Sequence, residues 1–130
     1  NKVKRYFNYI RPGGTTPEGL CFEAIMKEID ATTNDRDSFF LNLSDGMPMF
    51  NGQNIDYNGE QALNHTRKMV KVLRERGIKV MSYFIGDRYD YSGDRVMSNF
   101  KTMYGNDSQF IDTTNVTSLA RTMNKRFLQK

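Results

Sequence analysis

The chain has 130 residues, of which 38% are hydrophobic and 12% aromatic, with 10 Gly and 3 Pro. This supplies the core of one domain at ~150 residues per domain and excludes a disordered or collagen-like chain. Lys and Arg number 19 against 15 Asp and Glu, and the net charge of +4 permits attraction to acidic partners without demanding it. The single Cys21 excludes an internal disulfide and a Cys-rich zinc site. No run approaches the ~20 apolar residues of a membrane helix and no signal-peptide pattern opens the sequence, so a reducing, cytoplasmic setting is expected.

Taken in chain order, the Pro12-Gly13-Gly14 turn is followed by Thr15 and Thr16 as candidate N-caps, with Pro17 suited to a first helical turn. Leu20, Cys21, Ala24, Ile25 and Ile29 recur at helical spacing and predict a helix over about 17–31. Phe39-Phe40-Leu41-Asn42-Leu43 reads as a strand buried on both faces, running directly into Ser44-Asp45-Gly46. A loop rich in Gly, Asn and Met is expected from there to about Asn58. Ala62, Leu63, Thr66, Met69, Val70 and Leu73 form one stripe of a long helix that stops at Gly77. Val80–Ile85 predicts a second buried strand closed by Gly86-Asp87. A helix over 93–104, a short strand over Gln109–Asp112 and a last helix from about Thr117, burying Leu119, Ala120, Met123 and Phe127, complete the reading.

Alternating helices and strands imply an α/β fold, an open parallel-sheet three-layer sandwich of Rossmann-like type in one domain. Ligands of such sheets bind beyond the carboxyl ends of the strands. Those ends carry Ser44-Asp45-Gly46, Gly86-Asp87 and Asp112-Thr113. Thr15, Thr16, Ser44, Asp45 and Asp87 therefore form an oxygen-rich rim of the kind that suits a hard cation such as Mg²⁺. Read structurally, Thr16 caps a helix and Asp45 opens a turn.

Gly13-Gly14-Thr15-Thr16-Pro17-Glu18-Gly19 before a helix, then Phe39–Leu43 ending in Ser44-Asp45-Gly46, resembles consecutive elements of a von Willebrand factor A domain. The strand ending Phe84-Ile85-Gly86 resembles that family's fifth strand. Within the family, Ser44-Asp45-Gly46-Met47-Pro48 and His65-Thr66-Arg67 are similar to motifs of the C-terminal domain of the cobalt chelatase large subunit. The resemblance implies a metal-ion-dependent adhesion site in which Thr16 and Asp45 ligate Mg²⁺, with Thr15 as the alternative hydroxyl. Ser44, Gly46 and Asp87 stand beside it, and a partner's carboxylate fills an open coordination position. The chelatase likeness implies an AAA+ ATPase subunit as partner, the chain acting as adaptor in a complex for cobalamin biosynthesis.

The same family places a D-x-S-x-S motif and further strands ahead of the Gly13-Gly14 turn, and residues 1–11 are too short to hold them. The chain is thus expected to correspond to the C-terminal portion of such a domain, with an incomplete metal site. The Phe39–Leu43 strand then has an open apolar edge, which predicts a homodimer. Asp90-Tyr91-Ser92-Gly93-Asp94 only superficially resembles the missing motif and fails as a calcium loop, since its twelfth position is Lys101.

Met47, Pro48 and Met49 offer an adaptable contact surface on the rim, joined by Tyr89 and Tyr91. Met26, Met69, Met81 and Met123 read as core fillers, and His65 as a surface or helix-start residue. The helix over 59–77 carries Arg67, Lys68, Lys71, Arg74 and Arg76, which gives an alternative reading as a surface for nucleic acid or an acidic partner. No aromatic platform is interleaved there, so the solvated helix face is favoured. A Mg²⁺-dependent phosphohydrolase using Asp45 is the remaining class. It is disfavoured because the sequence contains no D-x-D after the first strand and no phosphate-cradling loop.

Overall fold

The computed structural model describes residues 14–29, 38–52, 54–86, 93–106, 108–112 and 121. Their elements are α1 (Glu18–Ile25), β1 (Ser38–Ser44), β2 (Phe50–Gly52), β3 (Ile55–Tyr57), α2 (Gly59–Glu75), β4 (Ile78–Gly86), α3 (Gly93–Tyr104) and β5 (Gln109–Asp112). β1, β4 and β5 form a parallel sheet in the order β1-β4-β5, with Ser38 opposite Ile78 and Tyr83 opposite Gln109. The fold is therefore mixed α/β, with α2 and α3 as the crossovers between successive parallel strands.

The stripe read in α2 is its buried face: Ala62, Leu63, Thr66, Met69, Val70 and Leu73. Gly77 ends the helix as expected, taking φ +80° and donating its N–H to the Arg74 carbonyl at 2.9 Å. Phe22 and Met26 of the α1 segment, Leu63, Val70 and Leu73 of α2, and Phe100, Met103 and Tyr104 of α3 pack on one face of the sheet. They meet Ile78, Val80 and Phe84 of β4, with Phe40 and Phe110 at the margins. On the opposite face Met81, Tyr83 and Ile111 form a second, smaller buried cluster. The helix expected from Thr117 lies outside the described residues.

Three expectations are corrected. α1 is shorter than 17–31, and turns carry the chain from Met26 to Ile29. It also buries Glu18, Gly19 and Phe22, with Met26 beyond its end, whereas Cys21 and Ala24 are exposed and Ile25 is 43% exposed. Gly19 sets that rotation. A Cβ there would stand 2.3 Å from Tyr57 Oη, 2.8 Å from His65 Nδ1 and 2.9 Å from Thr66 Oγ1, so only glycine lets α1 lie this close to α2.

β1 is not buried on both faces. Asn42 and Ser44 point inward, while Phe39, Leu41 and Leu43 are 38%, 38% and 48% exposed. Phe39, Leu41 and Leu43 share the face of the sheet opposite α1, α2 and α3, and a parallel strand is buried completely only where helices cover both faces. Finally, the segment read as a loop contains the antiparallel hairpin β2–β3, whose three-residue strands are too short for periodicity to reveal.

Candidate functional site

The carboxyl end of β1 and the turn before α1 meet at one rim. The Thr16 carbonyl accepts the Glu18 N–H at 2.9 Å and the Met49 N–H at 3.0 Å, and Thr16 and Met49 form an antiparallel bridge. The turn leading into α1 and the loop leaving β1 are thereby tied together. Pro17, not a threonine, occupies the N-cap of α1, and no side chain caps that end. The capping role expected of Thr15 and Thr16 is therefore corrected, because a backbone carbonyl at Thr16 does the joining instead. Thr15, Thr16 and Asp45 are all exposed on this rim.

Ser44 is buried, and its hydroxyl closes the turn: the Gly46 N–H donates to Ser44 Oγ at 3.3 Å, and Oγ reaches the Gly46 carbonyl at 3.4 Å. Pro48 is fully buried, Met47 packs against the main core, and Met49 is 44% exposed. Asp87, Tyr89 and Tyr91 lie outside the described residues.

Behind the rim is a polar pocket that the sequence reading did not assemble. Glu18, at the start of α1, is 5% exposed, and the Tyr104 hydroxyl at the end of α3 donates to its Oε2 at 2.8 Å. Its other oxygen, Oε1, is buried and has no hydrogen-bond partner among the described residues. Burial pushes the Glu18 carboxyl above its ordinary range. Ser44, Tyr104 and Asn42 offset part of that rise, and the nearby charge of Asp45 adds to it. The Tyr104 phenol is pushed up by burial and by the adjacent Glu18.

A second polar cluster joins α1 to α2. The Tyr57 hydroxyl lies 3.2 Å from the Ala62 carbonyl, 3.1 Å from His65 Nδ1 and 3.3 Å from Thr66 Oγ1. His65 Nε2 approaches Glu23 at 3.5 Å. Burial, foremost, raises the Tyr57 phenol. His65, read as a surface residue, is thus half-buried at a helix contact. The signal for the Glu18 pocket was Asn42, a polar residue inside an apolar strand run. Nothing local points from Glu18 to Tyr104, which lies 86 residues away.

No helix of the described residues is long and apolar enough to cross a membrane. In comparison with known proteins, no family model matches the chain, no curated protein matches it and no solved structure matches it.

Proposed function

We propose that the chain is a non-enzymatic binding module of von Willebrand factor A type, which engages a partner protein's carboxylate at the β1 rim through Mg²⁺. The observation that carries this reading is the Thr16–Met49 bridge, which holds a hydroxyl-bearing turn against the loop that presents Asp45. The donor chemistry fits the ion: Asp45 and Thr16, with Thr15 as alternative, offer hard oxygens on an exposed rim. The ion would supply a shared positive charge between Asp45 and the partner. The remaining positions fall to water, the partner and the D-x-S-x-S segment that the family pattern expects. An AAA+ ATPase subunit of chelatase type is the proposed partner class.

Calorimetric titration of the chain and of Asp45→Ala with Mg²⁺ and Mn²⁺ tests this. Heat of binding in the first and none in the second is expected. Absence of binding in both, or equal binding in both, defeats the reading. A chelator should likewise release the partner.

The exposed Phe39, Leu41 and Leu43 favour self-association along β1 as a homodimer. Light scattering should then report twice the chain mass of 15.1 kDa. A monodisperse monomer excludes it.

A further inference from the structure

A groove of about 990 Å³ runs between α2 and α3, and no β1 residue lines it. Arg67, Lys68, Lys71 and Arg74 of α2 and Lys101 of α3 line it, and among the described residues no Asp or Glu does. These five cations exceed the net charge of the whole chain, +4, so the rest of the molecule is close to neutral. On α2 they recur three and four positions apart, a spacing at which like charges repel along a helix. Lys71 approaches Glu75 at 3.6 Å, but both side chains are largely exposed, and such a pair neutralises little. Arg74 donates to the carbonyl of Tyr104 at 2.6 Å, which holds its guanidinium at the end of α3.

We propose that this groove is a binding site for a compact polyanion carrying two or more linked phosphate groups. Its volume lies at the upper end of the ~300–1,000 Å³ range of small-molecule clefts. The cations converge from two helices around a concavity, which favours a small ligand that several of them can reach at once. The amides of Asn64 and Asn106 add neutral donors to the same wall. Among the described residues no aromatic side chain lines the groove, so they offer no platform for the stacked bases of single-stranded nucleic acid. Anion binding relieves the repulsion within α2 and stabilises the fold by linkage. The site is independent of the metal rim.

The test is calorimetry and thermal melting of the full chain with inorganic tripolyphosphate in Mg²⁺-free buffer at physiological salt, beside orthophosphate and a mixed-sequence DNA duplex. Tripolyphosphate should bind at least about tenfold more tightly than orthophosphate and raise the melting temperature, with affinity falling as salt rises. Lys71→Gln combined with Lys101→Gln should weaken it by about tenfold or more while the unliganded melting temperature holds or rises. Asp45→Ala should leave the binding unchanged. No binding of tripolyphosphate, or equal binding by the double variant, overturns the proposal. Tighter binding of the duplex than of tripolyphosphate, lost in the same variant, overturns it in favour of a nucleic-acid surface.

Discussion

β1 and β4 are paired residue for residue over seven positions, yet β4 buries mostly apolar side chains, with Ser82 the exception, and β1 buries only polar ones. β4 buries Met81, Tyr83 and Phe84 on alternating faces, together with Ile78 and Val80. β1 buries Asn42 and Ser44 and leaves Phe39, Leu41 and Leu43 exposed. Both runs are apolar in sequence, so hydropathy alone does not separate them. The difference teaches that what packs on a strand's faces decides its burial: the inner face of β1 divides between Phe40, at the margin of the core, and Asn42 and Ser44, which lie beside the Glu18 carboxylate.

Four substitutions break or sharpen this contrast. The largest effect belongs to β4: Phe84→Ala removes a ring packed on Phe100 and Phe110 and should cost ~3–5 kcal/mol in urea unfolding. A loss below ~1 kcal/mol would show that the β4 core is looser than its packing implies. Next comes the polar side. Tyr104→Phe strips the hydroxyl that donates to Glu18 and should cost ~1–3 kcal/mol at neutral pH, since it leaves a buried carboxylate without that bond.

Gly19→Ala should cost a comparable ~1–3 kcal/mol by forcing α1 off α2, and an unchanged melting curve would disprove the close approach. The smallest effect is on the outer face of β1. Leu43→Ala should change monomer stability by no more than ~0.5 kcal/mol, because its side chain already meets solvent. If that variant instead loses stability in a concentration-dependent manner, the face is covered by a second copy.

The pH dependence sharpens the same comparison. The Glu18 carboxyl lies above its ordinary value of 4.5 in the folded chain, so between the two values the folded state holds the proton that the unfolded state has lost. Its stabilising contribution is complete below pH 4.5 and declines as pH rises through the folded value. Glu18→Gln should abolish that decline, so the variant gains on the wild type as pH rises. Parallel stability curves for the two would refute the assignment.

Much of the main frame was legible in the sequence. The six-residue stripe of α2, the β4 run and the Gln109–Asp112 strand follow from apolar spacing, and the stop at Gly77 follows from the positive φ that glycine adopts there. α1 was not legible in the same way. Its buried face is chosen by Gly19, whose value lies in the side chain it lacks, and the apolar Ile25 is left exposed. The β2–β3 hairpin escaped because three residues hold barely one period of alternation. At the rim, Thr16 and Asp45 could be read from local motifs, as could Ser44. The carboxylate behind them depends on Tyr104 and Asn42, and such partnerships between distant residues leave no local pattern.

The Glu18–Tyr104 contact also orders events during synthesis. The polymerised chain contains Glu18 for 86 residues before its partner exists, roughly 4–17 s at ribosomal speeds of ~5–20 residues per second. Within that interval β1 gains its strand partner only once β4 has been made, and the carboxylate has no phenol to receive it and stays in water. The floor of the rim closes only when α3 emerges and docks. A nascent chain stalled before Tyr104 therefore displays an open, hydrated rim.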